Sequence, residues 1–180
     1  AGGFGETEEA SSTDGGASKL AQLNLLGHVA LVKQLMTQNK LSKGSRIVAS
    51  GSEACFTGPK LKWNNADFRQ HLQGKAPVGD AKYCWIKGIV ALYWSAFARH
   101  HPELHVVTIS PGAVKGTDFY MQKGVSSVVK VGSGMMTFFM GSHSVEQGAK
   151  RYLDALLDTE DGSTEDIIPS GSFLAHRKGY

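Results

Sequence analysis

Apolar and polar positions alternate along the chain with two periods, one helical and one extended. Over residues 17–38, Leu20, Leu23, Leu26, Ala30 and Leu31 recur at helical spacing, and further apolar residues fill other faces. That pattern predicts a helix that is buried or lies in a subunit interface. Asn39-Lys40 and Ser42-Lys43-Gly44 end it. The β-branched run Arg46-Ile47-Val48-Ala49-Ser50, followed by Gly51, predicts a buried strand whose chain turns out at its carboxyl end. Residues 80–99 predict a second helix with Tyr83, Ile86, Lys87, Val90, Trp94 and Phe97 marking its faces; Pro102 stops it. Residues 104–109 predict a second strand, broken at Pro111-Gly112. Ser144-Val145-Glu146-Gln147 has the form of a capping box and opens a third helix to about Leu157. Ser172-Phe173-Leu174-Ala175 predicts a third short strand.

The segments between are polar or irregular. Residues 1–18 read as a loop. Residues 56–79 form an aromatic-dotted insertion with Trp63, Phe68 and Pro77, and a helical turn or two near 66–72. Residues 113–143 are rich in glycine, methionine and phenylalanine, and so long a connection inside a domain is usually functional. Met135, Met136, Phe138, Phe139 and Met140 there read equally as an apolar pocket lining and as core packing. Helix and strand alternate three times. The expectation is one α/β domain over 1–180, with right-handed crossovers and a parallel sheet covered on both faces. Sites in such sheets lie beyond the carboxyl ends of the strands.

Composition narrows the function classes. Of 180 residues, 41% are hydrophobic and 19% charged, as in soluble globular domains. The net charge of +3 is scattered, which argues against a nucleic-acid surface. Cys55 and Cys84 stand in no metal-ligand spacing and read as free thiols in a reducing, cytoplasmic setting; no metal site is expected. His100 and His101 read as cations at a helix end. No apolar run reaches the length of a membrane span.

The candidate chemistry begins with Tyr83 and Lys87. Four residues apart on a helix, they share one face. At ~4 Å and an effective dielectric near 20, an ammonium favours a phenolate by about 4 kcal/mol, enough to bring a phenol near neutral pH as proton donor or acceptor. Ser52, just past the first strand, is placed to hold a substrate oxygen; Ser50, one pleat earlier, is the alternative. Asn24 reads either as part of the site or as a helix residue satisfied by a neighbouring carbonyl.

With these residues in order, the chain resembles the short-chain dehydrogenase/reductases. Ala1-Gly2 resembles the end of that family's Asn-Ala-Gly turn, Leu23-Asn24-Leu25-Leu26-Gly27 the start of its interface helix, and Arg46 through Ser52 its fifth strand and catalytic serine. Tyr83 and Lys87 match its Tyr-x-x-x-Lys pair, and Ser110-Pro111-Gly112-Ala113-Val114 its Pro-Gly segment. The resemblance implies a Rossmann-like doubly wound parallel sheet of which this chain holds the C-terminal part, strands 5–7 with flanking helices. It implies an oxidoreductase that uses NAD or NADP to interconvert an alcohol and a carbonyl, the substrate being a small molecule of lipophilic kind. Tyr83 would be the acid/base, Lys87 would tune it and bind the nicotinamide ribose, and Ser52 would hold the substrate oxygen. Asn24 would hold, through a kinked backbone, a water joined to Lys87. Pro111, Gly112 and Val114 would border the nicotinamide, and Thr117 would be a ligand of its carboxamide or of a phosphate. A homodimer or homotetramer through the two long helices is implied.

Four departures qualify the match. Ile86 stands where the family usually has a small residue, and would press on the nicotinamide pocket or turn into the core. Thirty-one residues separate Ser52 from Tyr83, more than in the simplest members, and Thr117 falls one place late. No Gly-x-x-x-Gly-x-Gly or Gly-x-Gly-x-x-Gly loop, which would hold a pyrophosphate, occurs. The expectation is therefore a fragment that alone folds poorly and binds no dinucleotide well, with an unpaired edge at Arg46–Ser50. Two other classes compete: a non-catalytic relative kept for binding or assembly, and a serine hydrolase. The hydrolase is disfavoured because Gly51-Ser52-Glu53-Ala54 lacks the Gly-x-Ser-x-Gly elbow.

Overall fold

The computed structural model describes residues 16–56, 65–73, 75, 82–115, 143–157 and 168–175. Helix α1 (Lys19–Ala21) is capped by Ser18, whose hydroxyl accepts the Ala21 N–H at 3.2 Å. It runs into a π-turn (Gln22–Leu26) and then α2 (Gly27–Thr37). Asn39 closes this unit with φ 54°, the left-handed conformation that asparagine tolerates after a helix. Strand β1 (Arg46–Ser50) leads into a 3₁₀ turn (Glu53–Phe56). Helices α3 (Asn65–Leu72) and α4 (Lys82–His100) precede β2 (His105–Ile109). Helix α5 (Val145–Leu157) precedes β3 (Phe173–Leu174). The expected elements are all present, with β3 shortened to its two central residues.

The strands run parallel in the order β1-β2-β3, with Arg46 opposite His105, Ser50 opposite Ile109 and Ile109 opposite Leu174. The period of two sorts their side chains. Ile47, Ala49 and Val106 pack with Leu25, Val32, Ile86, Ile89, Val90 and Trp94 under α2 and α4. Val48, Val107, Ile109 and Leu174 pack with Tyr152 and Ala155 of α5. The sheet is thus covered on both faces, a Rossmann-like α/β arrangement.

The hand of the crossovers corrects the sequence expectation. Both steps cross the sheet in the same direction, yet α4 covers one face and α5 the other. Two such connections have opposite hands, so they are not both right-handed. The twist preference that fixes handedness acts through short connections, and the β2–β3 connection spans residues 110–172. Among the described residues, β1 has no strand on its far side, as the sequence suggested.

The capping box forms as read. The Gln147 N–H donates to Ser144 Oγ at 3.2 Å, and Ser144 N–H donates to Gln147 Oε1 at 2.9 Å. Ser144→Ala is expected to cost about 1 kcal/mol, read as a lowered urea midpoint with an unchanged m-value.

Candidate active site

Three parallel strands end side by side, and their carboxyl ends carry Ser50, Ile109 and Leu174. Past β1, Gly51 donates its N–H to the Ile109 carbonyl at 2.7 Å, so pairing extends one residue beyond the strand. The chain then turns at Ser52. Its carbonyl accepts the Cys55 N–H at 3.2 Å and its hydroxyl accepts the Ala54 N–H at 3.3 Å. The 3₁₀ turn that follows packs against α4, the helix carrying Tyr83 and Lys87.

Lys87 is 3% exposed and Tyr83 7% exposed. The Lys87 ammonium lies over the Tyr83 ring, 5.6 Å from its centroid, and donates to the Ser50 carbonyl at 3.1 Å. A trans peptide points its C=O and N–H in opposite directions. Since the Gly51 N–H faces β2, the Ser50 carbonyl faces the other edge of β1, and Lys87 satisfies it there. At 5.6 Å from the centroid the ammonium is within cation–π range of the ring, a contact worth about 2 kcal/mol when desolvated. Burial lowers the Lys87 pKa to about 8, so the ammonium remains the main form at neutral pH.

The two serines are separated by the pleat. Ser50 turns its hydroxyl to the α5 face, where it meets the Tyr152 hydroxyl at 2.8 Å. It therefore lies across the sheet from Tyr83, whereas Ser52 immediately precedes the 3₁₀ turn that packs on α4. Ile86 is 3% exposed within the core under α4, the second of its two expected positions. Trp85 stacks on His71 of α3, ring centroids 4.0 Å apart and planes 12° apart, which fixes α3 against the helix behind Tyr83. Burial lowers the His71 pKa, against an opposing pull from Asp67.

Asn24 sits in the middle of the π-turn, 2% exposed. Its side-chain amide donates to the Leu20 carbonyl at 3.0 Å, taking the acceptor that its own N–H would use in a regular α-helix. The Gly27 N–H then reaches Gln22, one residue further back than an α-helix allows. This is the kinked backbone expected at Asn24, on a turn that packs against α4. His28 Nδ1 stands 3.3 Å from the Asn24 carbonyl.

Past β2, Ser110 is buried and its hydroxyl accepts the Gly112 N–H at 3.3 Å. Gly112 has φ 76°, which favours glycine over any residue with a side chain. Arg151 of α5 donates to the Ser110 carbonyl at 3.1 Å and to the Ala175 carbonyl, tying the ends of β2 and β3 together. Val114 pairs with His143, with the His143 N–H on the Ala113 carbonyl and the Lys115 N–H on the His143 carbonyl. Thr117 and the cluster from Met135 to Met140 lie outside the described residues. Cys55 and Cys84 are free thiols; burial pushes Cys55 up to about 11, which leaves it unreactive at neutral pH. Among the described residues no group of side chains could hold a metal ion, and no helix is long and apolar enough to cross a membrane.

Sequence reading missed the Ser50–Tyr152 bond and the Arg151 ties. Their partners lie 102, 41 and 24 residues apart, and no local pattern encodes them.

Neither a scan against protein-family models nor a search of curated proteins finds a match. Solved structures do match. The chain is 19% identical to the KRED1-Pglu enzyme at a TM-score of 0.59, covering 97% of this chain and 65% of that one. It is 17% identical to YIR035C, a short-chain dehydrogenase/reductase from Saccharomyces cerevisiae, at a TM-score of 0.60 over 96% of this chain and 62% of that one. With salutaridine reductase from Papaver somniferum it shares 19% identity at a TM-score of 0.57, over 86% and 53% of the two chains. The chain thus spans between half and two thirds of the length of these structures. At such identities the likeness speaks to the fold alone: the three parallel strands and their covering helices are arranged as in the corresponding part of these structures.

Proposed function

We propose that the protein carrying this chain is an NAD(P)-dependent oxidoreductase that interconverts an alcohol and a carbonyl. The observation that supports this most is a buried ammonium, Lys87, lying over a buried phenol, Tyr83, at the carboxyl ends of parallel strands. Ion pairing does not account for it: the ammonium's bond is to a backbone carbonyl at the sheet edge. A buried cation beside a group that can carry a proton is the arrangement general acid–base chemistry needs.

The donor set suits the nicotinamide-ribose end of a dinucleotide. Lys87 offers ammonium protons to ribose hydroxyls, and Pro111, Gly112 and Val114 border the adjoining space. Thr117 is assigned there by resemblance alone. The 180 residues contain no glycine-rich loop for the pyrophosphate, so the chain's own contribution is confined to this end. When bound, the nicotinamide gives or takes the hydride. Tyr83 moves the proton at its phenol oxygen, donating it in reduction and accepting it in oxidation. Ser52 donates a hydrogen bond to the substrate oxygen and shares the charge that develops there. Lys87 keeps the phenolate accessible, and Asn24 holds the backbone kink beside it.

The substrate class is a small, lipophilic alcohol or carbonyl compound. Leu23, Leu31 and Leu92 are 48%, 57% and 48% exposed on α4 and on the unit formed by α1 and α2, which supports a homo-oligomer through those helices.

The test is turnover of the full protein with NADH and NADPH against a panel of aldehydes and ketones, before and after Tyr83→Phe. That change removes one oxygen and is expected to lower kcat at least ~10³-fold with the fold intact. Unchanged turnover in Tyr83→Phe ends the reading.

A further inference from the structure

We infer that Tyr152 is a positioning residue for Lys87, acting across the sheet through Ser50. The inference rests on the oxidoreductase reading only for its consequence in turnover; the linkage itself is structural.

Ser50 is held on both faces of the sheet. Its carbonyl accepts the Lys87 ammonium at 3.1 Å on the α4 side, and its hydroxyl meets Tyr152 at 2.8 Å on the α5 side. The peptide between them has its other end fixed by the Gly51 N–H on Ile109 at 2.7 Å. Tyr152 packs with Val48, Val107, Ile109 and Ala155, so its hydroxyl is aimed rather than free to swing. Burial raises the Tyr152 pKa, so the hydroxyl keeps its proton at neutral pH and the bond persists. Among the described residues one strand, β2, flanks Ser50 at the end of β1. The Tyr152 bond adds a second restraint, from the face of the sheet rather than from a neighbouring strand.

The consequence falls on Lys87. A carbonyl acceptor favours the ammonium over the amine. Loosening Ser50 weakens that acceptor and lowers the Lys87 midpoint further. Titratable and charged groups on the elements packed against α4 are Lys19 on α1, Glu53 and Cys55 on the 3₁₀ turn, Asp67, Arg69 and His71 on α3 and His105 on β2, and Lys82, Tyr83 and Cys84 share the helix's first turn. The shift at Lys87 arises from burial, so its hydrogen-bond acceptor is the lever that remains.

The experiment measures Lys87 directly. The full protein is labelled with trace acetic anhydride from about pH 6 to about pH 10, and Lys87 acetylation is followed by peptide mass spectrometry. In Tyr152→Phe and Ser50→Ala the midpoint is expected to fall by about half to one unit, raising the amine-to-ammonium ratio at neutral pH about three- to tenfold. Ser50→Thr keeps the hydroxyl and is expected to keep the wild-type midpoint. Tyr152→Phe removes only a hydroxyl, so it carries the test if Ser50→Ala fails to fold. A general loosening of the fold lowers the urea midpoint in all three variants without moving the Lys87 midpoint selectively. Folded Tyr152→Phe protein with an unmoved Lys87 midpoint overturns the inference, whatever the turnover. A shifted midpoint in a protein that reduces no carbonyl compound leaves the linkage standing and removes the oxidoreductase reading instead. With turnover present, the alkaline limb of kcat follows the shifted midpoint while KM for the carbonyl substrate stays unchanged.

Discussion

Lys87→Met is expected to stabilise the fold and remove turnover together. Burial lowers the Lys87 pKa from 10.5 to about 8, so keeping the ammonium inside at neutral pH costs about 3 kcal/mol. Methionine has similar length and no charge. It leaves the Ser50 carbonyl without its donor, a loss of about 1–2 kcal/mol. The net expectation is a gain of about 1–2 kcal/mol in urea unfolding, while kcat falls by ~10²–10³. A surface lysine shows neither effect, and a purely structural buried lysine shows only the first.

The same group sets opposite pH trends. A lysine with a depressed folded pKa carries fewer protons folded than unfolded between pH 8 and 10.5, so stability rises with pH in that window. Cys55 acts the other way. Its thiol, raised from 9.0 to about 11, keeps its proton in the folded state after the unfolded chain has lost it, so stability falls between those values. Wild-type stability is therefore expected to rise by about 1 kcal/mol from pH 7 to 9 and then level off. Turnover falls over the same range, because the charge beside Tyr83 is lost through pH 8. Lys87→Met should be flat to pH 9 and decline above it. A wild-type protein without the rise, or a methionine variant less stable than wild type, would remove the buried ammonium from the account.

Local pattern made the elements legible, and spatial convergence stayed hidden. The β-branched run at Arg46–Ser50 and the capping box at Ser144 needed only near neighbours to be read, and both formed. The Tyr83–Lys87 spacing announced a shared helix face, and the ammonium does lie over the ring. Which of Ser50 and Ser52 faces that helix depended on one pleat, and the Tyr152 bond that occupies Ser50 comes from 102 residues away. Crossover hand was misjudged because it depends on which face the last helix covers, a choice that long connections leave open. The motif left Ile86 two positions, against the nicotinamide pocket or in the core, and helical phase turns it into the core. The kink at Asn24 came from family resemblance; in the structure it follows from a side chain capturing the Leu20 carbonyl.

Gly51→Ala should be among the most damaging substitutions of a small residue. A Cβ at Gly51 would stand 2.8 Å from both the Phe173 ring edge and the Thr108 methyl, and 3.3 Å from the Ile109 carbonyl. Thr108 is 2% exposed and sits in the central strand of the described sheet, so it has nowhere to retreat. The Ile109 carbonyl accepts the Gly51 N–H, so moving the backbone away breaks the bond that extends β1. Phe173 is half-buried and meets Phe56 edge-on at 5.3 Å, which leaves its ring as the one contact able to yield. The expected loss is about 2–3 kcal/mol, a drop of roughly 5–10 °C in Tm for a chain of this size. Turnover should fall further than stability does, since Ser52 and the Ser50 carbonyl flank the displaced residue on either side. Phe173→Leu removes the ring edge and should recover about 1 kcal/mol in the double variant, a coupling that two independent sites would not show. A Gly51→Ala protein melting with wild type would mean that β1 does not approach β2 and β3 this closely, and the positions assigned to Ser50, Ser52 and Lys87 would fall with that contact.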